Sequence, residues 1–236
     1  MGTPCGNCAQ PLDGQRYCAQ CGQRTDIAPL QWWVLIRQGA EDFLDWDLPW
    51  QRTVLDLTLR PGQTVAAYLD GQRIRYIGPI KYAFYALVIA TLLGGANDLV
   101  QLVDADKPAW LRFIFGNLPL YFLLMTPVAV LALRLAFWKS PRNTVEITAF
   151  ALYMLGQTAL VIVAVGLIVA WTPKAPAESP LNVLLVLIAL AVPLFYGLYA
   201  VVGFFRSRLD HALIAALLAM GATLWVAGGL WALLAY

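Results

Sequence analysis

The residues with the clearest chemistry are four cysteines, Cys5-x-x-Cys8 and Cys18-x-x-Cys21, in the stretch CGNCAQPLDGQRYCAQCGQR. A C-x-x-C pair forms a tight knuckle offering two thiolates, and two facing knuckles complete a tetrahedral site. Asp13-Gly14 lies between the pairs and reads as the tip of a short hairpin. Gly22, directly after Cys21, lets the backbone turn so that amides approach the sulfurs. A full set of four thiolates leaves no open coordination position, so the expected metal is a structural Zn²⁺. Its thiolate complex carries a charge of roughly −2, which Arg16 and Arg24 are near enough in sequence to offset. A rubredoxin-like iron site would use the same ligands. Thiol redox chemistry needs only one pair. Two disulfides would need an oxidising compartment, whereas cysteines confined to residues 5–21 fit one local task in a reducing cytosol.

No catalytic residue is assigned. G-x-S-x-G, the P-loop and H-E-x-x-H are all missing from the sequence, and its single histidine, His211, reads as an interfacial residue near a helix start.

The elements that must carry this cysteine module are oily. The chain is 60% hydrophobic and 13% charged, with nine Trp, where soluble domains average about 25% charged residues. Mean hydropathy is +0.66. The net charge of +2 is too small to argue for nucleic acid. Residues 1–30 are polar and lack the apolar core of a secretory signal. The fold class expected is an all-α polytopic membrane protein. About five transmembrane helices follow interfacial helices and a small N-terminal Cys₄ zinc ribbon.

Three regions follow from the composition: a zinc ribbon over residues 1–26, an amphipathic helical region over 27–77 and a transmembrane bundle over 78–236. In QWWVLIRQGAEDFLDWDLPW, Trp33, Ile36, Ala40, Phe43 and Leu44 fall on one helical face. No run there is long enough to span, and tryptophan favours the headgroup level. This reads as an interfacial helix or one packed on the bundle, with a small soluble helical core as the alternative. Further on, Thr53 and Asp56 have capping-box spacing. Pro61 would open a helix and Gly71 would stop it. Arg73, Arg75 and Lys81 then gather at the membrane edge, with Arg134 near the end of the second span. They read as a positive-inside anchor or as a site for anionic headgroups. An enzymatic reading would place chemistry at Arg73, Tyr76, Lys81 and Glu146.

The cysteine block ending YCAQCGQR, followed by RTVLDLTLRPGQTVAAYLDGQRIRYIGPIKY, resembles the bacterial membrane family known as domain of unknown function 3667. Members pair a cysteine ribbon with a Thr-Leu, Arg-Pro-Gly, Tyr-Leu-x-Gly-x-Arg, Tyr-x-x-Pro series before the first spanning helix. The matching positions are Thr53, Leu57, Arg60, Pro61, Gly62, Tyr68, Leu69, Gly71, Arg73, Tyr76 and Pro79. A later family helix opens with Glu-His, where this chain has Glu146-Ile147. The resemblance implies an architecture and a bacterial inner membrane, and no established activity.

Spans of roughly the 20 apolar residues a bilayer needs fall at about 78–97, 113–137, 144–171, 181–203 and 211–235. With the N-terminus cytoplasmic, Arg73, Arg75, Lys81, Arg134, Lys139, Arg142, Arg206 and Arg208 lie inside, against Lys107, Arg112 and Lys174 outside. That bias places the ribbon in the cytoplasm and the C-terminus outside. Glu146, four residues after Arg142, is a candidate ion pair with it. Asn117, Gln157, Tyr121, Tyr153, Tyr196 and Tyr199 are polar groups at depth, suited to bonding between helices.

These features favour a non-enzymatic scaffold presenting the cytosolic zinc ribbon as a docking surface for a protein partner. The alternative is a lipid- or small-molecule-handling transporter with a basic headgroup site. The bilayer is the expected partner in either case. Ala215, Ala219, Gly221, Gly228 and Gly229 would give the fifth span a surface that permits a homo-oligomer.

Overall fold

A computed structural model describes residues 4–25, 30–41, 49–94, 118–170 and 180–205. The elements are α1 (Trp32–Glu41), α2 (Trp50–Leu59), α3 (Pro61–Leu69), α4 (Pro79–Gly94), α5 (Leu118–Ala136), α6 (Thr144–Ala170) and α7 (Pro180–Phe205). Among the described residues there is no strand, only the isolated bridges Pro4↔Pro11 and Tyr17↔Arg24. Helices α4–α7 lie within or across the first four stretches expected to be apolar helices, while the fifth stretch lies outside the described residues. Among the described residues one helix, over Thr144–Val165, is long and apolar enough to cross a membrane by length and composition. Pro79–Leu93, Thr126–Ala136 and Phe195–Phe205 are shorter apolar stretches.

α2 and α3 form a tight hairpin. Arg60 ends one helix and begins the next, and Pro61 takes the first-turn position where its missing N–H costs nothing. The Thr64 hydroxyl sits 2.9 Å from the Arg60 carbonyl and 3.0 Å from that of Asp56, tying the turn together. α3 stops as its sequence predicts. Gly71 takes φ 121°, the Gly71 N–H reaches Tyr68 O at 3.3 Å and the Gln72 N–H reaches Ala67 O at 2.9 Å. This is a Schellman closure, which satisfies carbonyls the helix end would otherwise leave open.

α2 starts differently from expectation. It begins at Trp50, so Thr53 lies inside the helix and does not cap it. The Trp50 ring packs against Tyr82 and Tyr85 of α4, with centroids 5.2 and 6.1 Å apart, and this contact draws the helix start forward. Thr53 and Asp56 then face the loop over 71–78. The Thr53 hydroxyl accepts the Ile77 N–H at 3.2 Å, and Asp56 accepts the Tyr76 hydroxyl at 3.0 Å.

Around the hairpin, α4 packs along α6, α5 and α7 flank α6, and α3 lies on α7. Tyr82 bonds Gln157, while Ala90 clusters with Ala159 and Val163, so α4 and α6 run in the same direction. Phe150 stacks on Phe204 at 4.4 Å, while Gln157 and Tyr196 both reach the end of α2, so α7 runs opposite to α6. The buried core joins Leu57, Val65, Tyr68, Tyr82, Ile147, Phe150, Tyr153 and Phe204.

Of the polar groups expected at depth, Gln157, Tyr153, Tyr196 and Tyr199 hold the hairpin and its following loop, while Asn117 lies outside the described residues. The last carbonyls of α2 have no partner within their own helix. Tyr196 donates to Leu57 O at 2.7 Å and Tyr199 to Leu59 O at 3.1 Å. Gln157 donates to the Thr58 hydroxyl at 2.8 Å while accepting from Tyr82, and Tyr153 donates to Ile77 O. An unpaired polar group in such an apolar setting would cost about 1–3 kcal/mol, so these side chains fix where the hairpin sits.

Candidate metal centre

The two cysteine pairs fold into the same knuckle, thirteen residues apart. In the first, the Cys5 N–H donates to Gln10 O at 2.8 Å and the Ala9 N–H to Cys5 O at 2.9 Å. In the second, the Cys18 N–H donates to Gln23 O and the Gly22 N–H to Cys18 O, both at 2.8 Å. Each knuckle is closed by its own bridge, Pro4↔Pro11 or Tyr17↔Arg24. Asp13-Gly14, expected as the tip of one shared hairpin, is instead the link between two closed units, with Gly14 at φ 75°. The residue after each second cysteine takes a left-handed conformation, φ 60° at Ala9 and φ 71° at Gly22. Glycine adopts that conformation freely and alanine does not.

The knuckles face each other. All four Sγ atoms lie within 4.8 Å of one another, with Cys5–Cys21 at 3.7 Å and Cys8–Cys18 at 3.5 Å. These separations far exceed a disulfide bond of about 2.05 Å, and all four cysteines are free. Tetrahedral thiolates about 2.3 Å from a metal lie roughly 3.8 Å apart, so the cluster could hold a metal ion with little movement. Cys5 and Cys18 are buried, and Cys8 and Cys21 are half-buried.

The four thiols are electrostatically unequal. The Asn7 side chain and the Gln23 backbone amide favour the Cys21 thiolate, lowering it to about 6. The Gln10 amide favours the Cys8 thiolate too, but lost hydration and the three neighbouring sulfurs outweigh it and push Cys8 up to about 12. Four adjacent thiols cannot all ionise without a cation to compensate them. Arg16 and Arg24 are both exposed on the ribbon.

The ribbon is docked on the helical body. Gln23 is only 3% exposed, and its side-chain oxygen accepts the Ile74 N–H at 3.2 Å. Further along, Asn143 Nδ2 donates to Leu30 O at 3.3 Å, tying the segment before α1 to the start of α6.

The basic residues hold separate positions. Arg75 lies 3.9 Å from Asp56 and its guanidinium sits over the Tyr76 ring at 5.7 Å. Burial and the Asp56 carboxylate together raise the Tyr76 phenol above its ordinary range. Lys81 is buried, with its ammonium 6.0 Å from the Tyr85 ring, and Arg73 is half-buried. Arg134 donates to Arg142 O at 3.0 Å, at the α5–α6 turn. Arg142 and Glu146, expected to pair with each other, are engaged separately. Arg142 meets Asp70 at 3.1 Å. Glu146 accepts the Asn143 N–H at 3.0 Å while the Asn143 side chain accepts the Glu146 N–H at 2.8 Å. That reciprocal capping box explains why Glu146 turns back on its own helix start.

The architecture is thus a small four-cysteine site seated on a helical body whose central hairpin precedes an apolar helix. Residues 51–91 match the family described as Protein of unknown function (DUF3667), the resemblance expected from the motifs. The match takes in α2, α3, the following loop and most of α4, and the cysteines lie outside it. No curated protein and no solved structure matches the chain. The motif residues have structural work: Thr53, Leu57, Pro61, Gly62, Tyr68, Leu69, Gly71, Tyr76 and Pro79 are all buried.

Proposed function

We propose that this is a multi-pass protein of the bacterial inner membrane whose cytoplasmic ribbon carries one structural Zn²⁺ and serves as a non-enzymatic docking scaffold. The observation that carries this reading is a closed set of four sulfurs seated against the helices through Gln23 and Ile74. With no open ligand position, such a metal would organise a surface and would not activate a substrate. Membrane insertion draws support from Thr144–Val165 and from α7, whose 26 residues include no charged side chain. Outward-facing apolar rows, Phe84, Val88 and Leu92 on α4 and Leu131 and Leu135 on α5, suit a lipid environment. Trp32, Trp33 and Ile36 are exposed on α1, which suits the headgroup layer. The cytoplasmic side follows from the excess of Lys and Arg on that side.

Elemental analysis of the detergent-purified protein tests the metal. About one zinc per chain, lost in C18S/C21S, is expected; iron or no metal would refute the assignment. Crosslinking in cells tests the scaffold, since a partner recovered with the intact ribbon should be lost in the same variant. Lipid handling has thinner support, because Arg75 and Arg134 are held by different partners on different elements.

A further inference from the structure

Gln23 stands at the junction of the ribbon and the family segment. Its carbonyl accepts the Cys18 N–H, its backbone amide favours the Cys21 sulfur, and its side chain accepts the Ile74 N–H. Gly22 beside it faces the Ile74 side chain: a Cβ built there would stand 3.8 Å from Ile74 Cδ1, in ordinary contact. The loop over 71–78 is therefore held from two sides. Its far end is pinned to the helices by Tyr76 on Asp56, by Ile77 on Thr53 and by Tyr153 on Ile77. Its near end, with half-buried Arg73 and exposed Ile74 and Arg75, meets the ribbon.

The duplicated knuckle supplies an internal comparison. Gln10 is the counterpart of Gln23, with the same carbonyl role toward Cys5, yet it is exposed where Gln23 is buried. Burial of Gln23 thus reflects docking and not the needs of the knuckle itself. The backbone around Gln23 takes its shape from Cys18 and Cys21, and four sulfurs this close hold together as thiolates only around a cation.

We propose that metal bound by the ribbon clamps the near end of the loop over 71–78, with Gln23 as the positioning residue. Metal loss then frees the backbone at Ile74 and leaves Arg75 held only from the helix side, by Asp56 and Tyr76. This rests on the reading of the cysteines as a metal site and assigns the metal a consequence beyond the ribbon. The freed backbone would lie in the basic stretch before the apolar helix.

Limited trypsin digestion of the full-length protein in detergent, reading cleavage after Arg75, tests the clamp. Zinc-loaded wild type and Q10A should be cut slowly. Wild type stripped by a chelator, and zinc-loaded Q23A, should be cut on the order of tenfold faster, as expected when a local opening loses a hydrogen-bonded anchor. I74P removes the donor from the loop side and leaves the ribbon sequence untouched, so it should also speed cleavage while retaining zinc. If chelation and I74P both leave the rate unchanged while zinc is bound in wild type, the clamp is wrong and the metal site stands. Purified protein without metal would overturn the underlying reading instead. Fast cleavage in Q10A equal to that in Q23A would make the effect one of ribbon folding and refute the role of Gln23.

Discussion

Gly62 of α3 and Gly203 of α7 meet with their backbones in contact: a Cβ built on Gly203 would lie 3.5 Å from Gly62 Cα. The converse is harsher, since a Cβ on Gly62 would collide with the Phe204 amide and stand 2.5 Å from the Ala200 carbonyl oxygen. The Arg-Pro-Gly signature thus contains a glycine that lets the hairpin lie flush on α7. G62A should destabilise the protein by about 3 kcal/mol or more, because backbone cannot yield as a side chain can. G197A, on α7 with nothing within 4 Å, should be tolerated. Thermal unfolding and monodispersity in detergent would separate the two, and equal behaviour would contradict the close crossing.

Ala9 occupies the conformation that Gly22 holds in the second knuckle. A9G should relieve about 1 kcal/mol of backbone strain and strengthen metal retention roughly fivefold. G22A should do the reverse, since its φ of 71° is unfavourable for alanine whatever the space. Competition with a chromogenic chelator reads both; an A9G variant that loses metal faster than wild type would remove the strain argument.

Acid should release the metal. The loaded site needs four thiolates, while the metal-free ribbon keeps a proton on Cys8, pushed up to about 12. The metal-free state therefore binds more protons, and lowering the pH favours it. Cys21, lowered to about 6, joins that uptake only below that value, so retention should fall more steeply there. Metal content after dialysis across a pH series checks this, and a flat profile would exclude thiolate ligation.

Gln157 joins three elements, accepting from Tyr82 and donating to Thr58 at 2.8 Å. Q157L should cost about 1–3 kcal/mol by leaving the Tyr82 hydroxyl without its acceptor. Combining it with Y82F should recover part of that loss, giving a non-zero coupling in a double-mutant cycle. Strict additivity would show that the two side chains do not share one bond.

Much of the site was legible because its signals are local. Paired C-x-x-C spacing, a proline opening α3 and a glycine closing it depend on a few neighbouring residues. The errors arose where distant packing chose among local options. Thr53 and Asp56 have capping-box spacing, but Trp50 packing on Tyr82 moved the helix start and turned both toward the loop. Arg142 and Glu146 have ion-pair spacing, but Asn143 offered Glu146 a nearer partner and Asp70 took Arg142. Tyr196 and Tyr199 stood out as polar in an apolar helix, yet only the fold reveals that they cap α2. The Gln23–Ile74 contact, 51 residues apart, left no mark that spacing could disclose.

The shared direction of α4 and α6 has a topological consequence. A chain that passes twice in the same sense must return in between, so the starts of both helices emerge on one face. Asn143 on Leu30 and Arg142 on Asp70 fasten the start of α6 to the segment after the ribbon and to the hairpin. In the membrane reading proposed above, cysteines, hairpin and the Arg134–Arg142 turn would lie on the same side of the bilayer, and inverting the molecule would carry them across together.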